Sequence, residues 1–272
     1  MNEVKNMNKV AIVGAAGRMG GRLIANIMAD ERFELSGALE HPSCPKLGVD
    51  AGINAGCGAA NVTITADLDE ALKGADTVII FSTGSAINMV RAAVEKGVAV
   101  VLGTTALPAE ERAAIAELGK KGKIVFASNM SVGVNLLCKL AAEAAKILGL
   151  DYDVEIVEMH HNQKKDAPSG TAVTLAETVA AELGLDYEKD TRHGRQGLVG
   201  ARTKKEIGMH SLRGGDVVGD HTVIFAAEGE RIELTHKASS RDTFVHGALR
   251  AAEYLASAPN GLYDMRDVLG FK

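Results

Sequence analysis

A short apolar strand, a glycine-rich turn and a helix follow one another near the start of this sequence. The strand covers Lys9 to Val13 and leads directly into the turn. Three glycines have Gly-x-x-Gly-x-x-Gly spacing: Gly14, Gly17 and Gly20. The apolar residues of the helix have helical spacing and are predicted to face inward: Leu23, Ile24, Ile27 and Met28. This order of elements predicts a dinucleotide-binding unit.

Each glycine has a separate physical role in such a turn. Gly14 permits the tight turn, Gly17 lets backbone N–H groups approach a diphosphate, and Gly20 allows the helix to pack closely on the strand. We therefore predict that the whole turn contacts the cofactor: Gly14, Ala15, Ala16, Gly17, Arg18, Met19 and Gly20.

An acidic residue follows the second predicted strand, which covers 33–39. Glu40 comes about 20 residues after the last glycine, where dinucleotide-binding units place the carboxylate that binds the ribose hydroxyls. The 2'-phosphate of NADPH would bring about two negative charges close to that carboxylate. An imidazole beside it, as at His41, offsets less of this repulsion than the permanently charged guanidinium of an Arg. We predict that Glu40 and His41 contact the cofactor, that NADH is preferred and that NADPH is still used. The alternative is that Glu40 is a surface carboxylate at a strand end.

Strands and helices alternate regularly after this point. A long loop is predicted over 41–60, and strands over 62–65, 77–81, 98–102 and 123–127 alternate with helices over 68–72, 85–96 and 109–120. This alternation predicts a parallel sheet, whose ligands bind at the carboxyl ends of the strands. Segments at these ends are predicted to contact the cofactor: Gly103, Thr104 and Thr105, and Ala127, Ser128, Asn129 and Met130. Their alternative interpretation is ordinary turns, which favour the same residue types.

An alternating strand in the second half of the chain leads to a pair of histidines. Val154, Ile156 and Val157 stand among carboxylates over 153–159, a pattern typical of a strand. Four potential cations follow it directly: His160, His161, Lys164 and Lys165.

A helix is predicted to begin just after these cations. Pro168 interrupts the chain, and Ser169, Gly170 and Thr171 precede an apolar pattern of helical spacing over 173–183. The hydroxyls and free N–H groups of such a helix N-terminus form a site for an anion such as a carboxylate. We therefore predict that this segment binds a carboxylate ligand and protonates it.

A purely structural interpretation of this segment is also open. The histidines could end a core strand, the lysines could form a solvated face, and Ser169 could be only an N-cap. Clustered like charges cost stability unless an anion relieves them, so we favour the binding site. The structural interpretation is strongest for Lys165, because Lys164 is better placed if alternate residues face alternate ways.

The remaining pattern completes a second domain and returns to the first. A helix is predicted over 135–148, a mobile basic loop over 191–201, and strands over 206–212, 221–228 and 231–237, the last two joined as a hairpin. Helical periodicity resumes over 241–255 and suggests packing on the first domain. We predict an α/β protein with a Rossmann-type parallel-sheet domain (1–130 and 241–272) and a smaller α+β mixed-sheet domain (131–240) that binds the substrate.

Composition argues against several other classes of protein. The net charge is −5, only 4% of residues are aromatic and Trp is absent, which disfavours a general nucleic-acid binder. Three cysteines, Cys44, Cys57 and Cys138, have no CxxC spacing and indicate neither a disulfide framework nor a zinc site, and we expect no metal. We recognise no signal peptide and no apolar run approaching about 20 residues. We therefore expect a cytoplasmic protein without a membrane or nucleic-acid partner.

The histidine segment resembles the signature of the 4-hydroxy-tetrahydrodipicolinate reductase (dihydrodipicolinate reductase) family. That signature has a His-His pair, a lysine three residues after the second His, and then Asp-Ala-Pro-Ser-Gly-Thr, as in His160, His161, Lys164 and 166–171 here. Further motifs resemble the family, in its order, along nearly the whole chain. They are 14–20, Glu40, 103–105, 131–135, 200–202, 206–208, 213–221 and 236–241.

The resemblance implies a function and residue roles. It implies NAD(P)H-dependent reduction of 4-hydroxy-tetrahydrodipicolinate to tetrahydrodipicolinate in lysine and diaminopimelate biosynthesis, by a homotetramer built through the sheet of the second domain. It also implies that His160 is the proton donor or acceptor and that Lys164 is a proton donor. Substrate carboxylates are then bound by His161, Gly170 and Thr171, to which we add Ser169.

Three positions depart from the residues that are usual in the family. His41 stands where Arg is common, Ala106 where Gly is common, and Met130 where Phe is frequent. None of them belongs to the predicted acid–base pair.

Two alternatives to this function differ in what they predict. One is a reductase or dehydrogenase of another small dicarboxylate. The other is a nucleotide-binding redox sensor, which would bind NAD(H) but would not oxidise NADH in the presence of a dihydropicolinate-type substrate. A sensor has no need of paired histidines beside a lysine, which disfavours the second alternative.

Overall fold

The computed structural model of the protein describes residues 7–82, 84–104 and 107–271. The chain forms two compact units. The first unit contains the residues up to Val132 together with those from Phe244 onward, and the second contains Gly133–Thr243. Among the described residues, no helix is both long and apolar enough to cross a membrane.

The helices and strands follow one another along the chain in this order. Up to residue 126 they are β1 (Asn8–Val13), α1 (Arg18–Met28), β2 (Phe33–Leu39), α2 (Ala51–Ala55), β3 (Ile64–Thr65), α3 (Leu68–Ala71), β4 (Thr77–Ile80), α4 (Ile87–Glu95), β5 (Ala99–Leu102), α5 (Ala109–Gly119) and β6 (Lys123–Phe126). The next are α6 (Val132–Leu148), a short 3-10 helix (Gly149–Asp151), β7 (Asp153–His160), α7 (Gly170–Leu183), α8 (Tyr187–Asp190), β8 (Thr191–His193), β9 (Ile207–Arg213), β10 (Gly219–Ala227) and β11 (Glu230–Ala238). The last are α9 (Asp242–Ser257), β12 (Gly261–Tyr263) and α10 (Met265–Val268).

The first unit is built on a seven-stranded parallel sheet with the order β12-β6-β5-β4-β1-β2-β3. Its central strands are continuous apolar runs because both faces of the sheet are covered. Since all the strands run the same way, the segments that follow β1, β4, β5 and β6 lie at one edge of the sheet. The predicted cofactor-binding segments are therefore gathered at that edge.

Helices cover both faces of this sheet. Alternate residues of β1 belong to two separate apolar clusters, because successive side chains of a strand point to opposite faces. One cluster includes Val10, Ile12, Leu23, Ile27, Val245, Leu249 and Met265, from β1, α1, α9 and α10. The other includes Ala11, Val13, Val90, Ile115 and Leu102, from β1, α4, α5 and β5.

The second unit has a mixed five-stranded sheet with the order β11-β10-β7-β9-β8. β7 is parallel to β9 and antiparallel to β10, and β11 forms a hairpin with β10 at Gly229, which has φ of 89°. The helices α6 and α7 pack on one face of the sheet. Their cluster includes Leu137, Ala141, Leu175, Val179, Ile156 and Phe225. The predicted mixed sheet and hairpin are confirmed.

Two predicted loops contain regular structure. Within 41–60, Asp50 caps α2 by accepting hydrogen bonds from the backbone N–H groups of Gly52 and Ile53 at 2.9 and 3.0 Å. Within 191–201, β8 pairs in parallel with β9. Both elements are too short to show an apolar period, so their partners rather than their own pattern specify them.

Two other predictions need correction at the ends of the first unit. Met28 was expected to face inward but is 37% exposed, because Ile27, 1% exposed, takes the core position in the last turn of α1. The Met28 side chain lies beside Cys57 instead, with 3.4 Å between the two sulfur atoms. The short β12 and α10 were not expected, and β12 extends the sheet by pairing with β6.

Candidate active site

The glycine turn after β1 brings backbone atoms so close that side chains are excluded. Gly14 has φ of 80°, and a Cβ there would lie 3.1 Å from the carbonyl oxygen of Phe81. A Cβ on Gly20 would overlap the carbonyl oxygen of Gly14. Gly17 is the N-cap of α1 and provides no side-chain cap, so the first N–H groups of this helix are open to a ligand anion.

Glu40 is fixed against this turn by two backbone hydrogen bonds. Its Oε1 accepts from the N–H of Ala16 at 2.8 Å, and its Oε2 accepts from the N–H of His41 at 3.0 Å. A carboxylate oxygen has a second lone pair, so the group retains capacity for two ribose hydroxyls. The His41 ring is exposed, and its Nδ1 lies 2.7 Å from Oγ of Ser43.

Two buried hydroxyls at the same sheet edge have no hydrogen-bond partner within the described part of the chain. They are Oγ of Ser82 and Oγ1 of Thr104, which follow β4 and β5. A Cβ on Gly103 would overlap the Phe81 ring. Thr105 and Ala106 lie outside the described residues. An uncapped helix start, a tethered carboxylate and two unpaired hydroxyls at one sheet edge fit a dinucleotide with hydroxyl and amide groups.

The segment that follows β6, from Ala127 to Met130, was predicted to contact the cofactor. The N–H of Ala127 bonds Leu102 O at 3.1 Å, and Asn129 Oδ1 accepts from the N–H of Ser131 at 2.9 Å. The side chain of Met130 is buried in the core, as is that of Ala15 in the glycine turn. Ala15 is 0% exposed and Met130 is 1% exposed, so neither side chain is accessible to a cofactor in this structure.

In the second unit, β7 places a carboxylate and an imidazole on its buried face. Its alternation buries Val154, Ile156, Glu158 and His160, whereas Val157 lies on the opposite face. His160 Nδ1 lies 2.6 Å from Oε2 of Glu158, which has no solvent exposure. The proton-donor candidate is thus held by a buried carboxylate two residues earlier on its own strand.

Glu158 receives three further hydrogen bonds from two other elements. Arg213, at the end of β9, donates from Nη1 to Oε2 at 2.9 Å and from Nη2 to Oε1 at 3.0 Å. The backbone N–H of Ser169 donates to Oε1 at 3.2 Å. Burial raises the pKa of Glu158, but the hydrogen bonds from Arg213, His160 and Ser211 outweigh it and hold the pKa below its usual value. The carboxylate is therefore ionised at neutral pH.

The other ring nitrogen of His160 is directed away from this carboxylate. A Cβ on Gly219 would lie 3.0 Å from Nε2, so the absence of a side chain there leaves Nε2 open. No described residue hydrogen-bonds this nitrogen. The ring packs edge-on against His221, with centroids 5.2 Å apart.

His221 is a buried, neutral partner of the N-cap serine. Its Nε2 lies 2.9 Å from Oγ of Ser169, and burial, together with the nearby His160, lowers its pKa to about 4. Ser169 Oγ also accepts from the N–H of Ala172 at 3.2 Å, so it caps α7 as predicted. Because Ser169 is only 2% exposed and its hydroxyl is occupied, it orients the helix start, and the direct ligand contact expected for it is not supported.

One cation of this segment, Lys164, has a counter-ion within the protein, which we did not expect. Lys164 Nζ lies 2.8 and 2.9 Å from the carboxylate oxygens of Asp166, whose side chain is 64% exposed. Arg213 is paired with Glu158 in the same way. The argument that only a ligand relieves the clustered charge is therefore too strong. Lys165 is exposed, in agreement with a solvated role.

The first turn of α7 is accessible from solvent. Gly170 is exposed, and nothing lies within 4 Å of the position that a Cβ would occupy. Thr171, which follows it in sequence, is half-buried, as is His161. The N–H of His161 bonds Val217 O at 2.8 Å. The chain thus presents an open helix N-terminus next to the segment that carries His160 and Lys164.

Three residues of this arrangement were not among the predicted site residues: Glu158, Arg213 and His221. A signal for Glu158 was present in the sequence. Alternate residues of a strand point to the same face, so Glu158 faces the same way as the buried Val154 and Ile156. Arg213 and His221 lie in motifs that were recognised, but their pairing with Glu158 and Ser169 depends on strand neighbours that sequence spacing does not reveal.

Two family models match this chain, one after the other. The model described as "Dihydrodipicolinate reductase, N-terminus" matches residues 8–130, and the one described as "Dihydrodipicolinate reductase, C-terminus" matches residues 133–269. The chain belongs to the dihydrodipicolinate reductase family. The 4-hydroxy-tetrahydrodipicolinate reductase of Syntrophotalea carbinolica is 54% identical over 267 residues, which are 98% of this chain and 100% of that protein. The reductase of Geotalea uraniireducens is 53% identical over 268 residues, with the same coverage of 98% and 100%.

Solved structures agree with this membership. A dipicolinate-bound dihydrodipicolinate reductase from a Paenisporosarcina species matches with a TM-score of 0.75 and 25% identity, over 95% of this chain and 98% of that one. GenD2 from gentamicin A biosynthesis, in complex with NAD, matches with a TM-score of 0.61 over 99% of this chain and 92% of that one, but at 14% identity it shows the fold alone. The predicted family, fold class, reductase function and nicotinamide cofactor are confirmed.

Proposed function

We propose that this member of the dihydrodipicolinate reductase family reduces 4-hydroxy-tetrahydrodipicolinate to tetrahydrodipicolinate with NADH or NADPH, in lysine and diaminopimelate biosynthesis. The observation that carries the proposal is the His160 ring, anchored by Glu158 through Nδ1 and open at Nε2, in the same unit as the open N-terminus of α7. The reaction adds one hydride and one proton to the substrate and releases its hydroxyl group as water. A protein site must therefore bind a dianion and supply a proton.

The proton comes from His160 or Lys164. His160 donates from Nε2, because Nδ1 is committed to Glu158. Lys164 can donate once its Asp166 partner is displaced, and exposed ion pairs of this kind are worth only about 0–1 kcal/mol. A substrate carboxylate can replace Asp166 at small cost.

The substrate carboxylates are bound by His161, Gly170 and Thr171, with Ser169 orienting the turn. A helix N-terminus stabilises an anion by typically 0.3 to about 1 kcal/mol per interaction. The related Paenisporosarcina enzyme binds dipicolinate, itself a dicarboxylate, which supports this class of ligand.

The first unit binds the cofactor, which supplies the hydride. Its contacts are the glycine turn 14–20, Glu40 and His41, the strand-end residues Gly103, Thr104 and Thr105, and Ala127 to Met130. The tethered carboxylate of Glu40 supports NADH as the preferred cofactor, with NADPH also used. No metal is required for the proposed chemistry.

The second unit also mediates assembly. We place the boundaries of the domains at 130/131 and 240/241, with residues 131–240 binding the substrate and forming a homotetramer through their sheet. The enzyme acts in the cytoplasm on a small-molecule substrate, without nucleic acid or membrane.

Loss of absorbance at the NADH band in the presence of enzymatically generated substrate tests the function directly. A reductase consumes NADH in proportion to substrate. A sensor binds NADH without consuming it, and a reductase of another dicarboxylate consumes it only with a different substrate. Binding of NADH without turnover of this substrate would reject the proposal.

A further inference from the structure

The contact between Glu158 and His160 decides which nitrogen of the imidazole carries a proton. An ionised carboxylate can only accept hydrogen bonds. At 2.6 Å from Oε2 of Glu158, Nδ1 of His160 must therefore be the N–H nitrogen, both in the neutral ring and in the imidazolium. Nε2 is left as the nitrogen that gains and loses the second proton.

The carboxylate is held still by groups that do not titrate near neutral pH. Arg213 donates two hydrogen bonds in a fork, at 2.9 and 3.0 Å, and the backbone N–H of Ser169 donates a third at 3.2 Å. A buried carboxylate with such donors stays ionised and has little freedom to rotate. Its position is thus imposed by β9 and by the start of α7.

We infer that Glu158 is a positioning residue that fixes His160 in the Nδ1-protonated tautomer and supports its imidazolium form, with Nε2 presented to the substrate. The inference rests on the proposed proton donation by His160. Glu158 itself touches no substrate in this account, because it is fully buried.

The same carboxylate sets the distance between the proton donor and the anion site. One oxygen is bonded to His160 Nδ1, and the other is bonded to the N–H of Ser169, the N-cap of α7. Displacement of Glu158 would move the imidazole relative to Gly170 and Thr171. A single buried group therefore aligns the two functions that a reductase needs in this unit.

Replacement of Glu158 by Gln tests the inference with little change of shape. A side-chain amide can donate to Nδ1, which favours the Nε2-protonated neutral ring, and it cannot balance the imidazolium charge. We expect kcat to fall by about 10²- to 10⁴-fold, while KM and the NADH dissociation constant change by less than about fivefold.

The pH dependence of kcat and the tautomer of His160 test this role specifically. Neither should change if Glu158 only stabilises the fold. The groups that surround His160 are Glu158 on its own strand, Arg213 on β9 and His221 on β10, with Lys164 near enough to lower the pKa of His221. Removal of the only negative charge in this set should move the alkaline limb of the kcat profile to lower pH by about one unit or more. Long-range ¹H–¹⁵N spectra of the substrate-free protein should show Nδ1–H for His160 in the wild type and a shift toward Nε2–H in the Gln variant.

A matched control exists on the opposite face of the same strand. Glu155, like Glu158, binds arginine and histidine side chains, with Arg195 at 2.7 Å, Arg202 at 3.0 Å and His210 at 2.7 Å. Glu155→Gln should lose stability but keep the wild-type pH profile and His160 tautomer. If Glu158→Gln does not fold, Glu158→Asp keeps the charge opposite Arg213 and should retain an Nδ1–H signal with intermediate kcat.

The outcomes separate this inference from the proposed function. Failure of the wild type to oxidise NADH with the substrate rejects the function, whereas the tautomer can still be measured. Wild-type turnover together with an unchanged pH profile and an unchanged His160 tautomer in the Glu158 variants overturns the inference alone.

Discussion

Glu40 accepts a hydrogen bond from the backbone N–H of Ala16 at 2.8 Å, so the acid at the end of β2 is tied to the glycine turn at the end of β1. Its second oxygen is bonded to the N–H of His41 at 3.0 Å. These bonds hold the carboxylate against the turn. The 2'-phosphate of NADPH would therefore lie close to a negative charge whose side chain is held by two hydrogen bonds.

This relationship predicts the cofactor preference. At a separation of ~5 Å and an effective dielectric constant of ~40, two phosphate charges beside Glu40 cost on the order of 3 kcal/mol, less with salt screening. We expect the ratio of kcat/KM values to favour NADH by roughly 3- to 30-fold in the wild type. His41→Arg should shift the ratio toward NADPH, and His41→Gln should not. A strong NADPH preference of the wild type would contradict this role of Glu40.

Replacement of His160 by Gln should remove the proton donor but leave the ligand contacts. General acid catalysis typically contributes about 10²- to 10⁴-fold, so we expect kcat to fall by roughly 10²-fold or more. Substrate affinity should change much less. Steady-state kinetics between about pH 6 and pH 8 checks this, and near-normal turnover across that range would show that another group supplies the proton.

The open first turn of α7 allows the anion site to be tested without disturbing the fold. Gly170→Ala adds a methyl group where nothing lies within 4 Å, and Thr171→Val removes a hydroxyl with little change of shape. Both should weaken substrate binding but leave NADH binding nearly unchanged. The control is Thr178→Val on the same helix, whose hydroxyl bonds Thr174 O at 2.7 Å. Calorimetry with equal losses of cofactor and substrate affinity would place the anion site elsewhere.

Asp166→Asn should free Lys164 for the substrate. The exposed ion pair between them is worth at most about 1 kcal/mol, and its removal also removes a charge that repels a dicarboxylate. We expect KM for the substrate to fall by up to about fivefold while kcat changes little. Initial-rate measurements at low ionic strength give the largest effect, and an increased KM would indicate that Asp166 orients Lys164 productively.

The neutral state of His221 predicts a pH dependence of stability. Burial, with nearby His160, lowers the pKa of His221 to about 4 in the folded protein, against about 6.5 in an unfolded chain. The unfolded state therefore binds the proton first, and stability is lost as pH falls from about 6.5 to about 4, by on the order of 3 kcal/mol in total.

Urea unfolding between about pH 7 and pH 5 measures this effect, because most carboxylates titrate below that range. His221→Asn should flatten the loss of stability in this interval. The exposed His193 provides a control, since His193→Asn should leave the slope unchanged. A slope in the His221 variant equal to that of the wild type would mean that other groups take up the proton.

Local pattern was sufficient for most of the fold. The turn at Gly14–Gly20, the strand that ends at Glu40 and the cap at Ser169 each follow from chemistry within a few residues, and the structure contains all three. The short strands β8 and β12 were missed because three residues are too few to show a hydrophobic alternation. Their positions depend on β9 and β6, with which they pair.

The centre of the candidate site could not be derived in the same way. The apolar residues Val154, Ile156 and Val157 identified β7 from the sequence. The residue that follows Ile156 on the buried face is Glu158, however, and Val157 lies on the other face. A carboxylate in a core is tolerated only when donors meet it there. The donor side chain comes from Arg213, 55 positions further along the chain, and no spacing rule connects the two.

The first unit is assembled from two lengths of chain with the whole of the second unit between them. A ribosome releases residues in order, so residues 133–243 have all emerged before β12 exists, and as a continuous segment they can complete their own structure first. Until β12 arrives, β6 is an unpaired edge on which another strand can pair. The time needed to synthesise residues 127–263 therefore sets the interval during which a nascent chain is exposed to mispairing with its neighbours on the same messenger RNA.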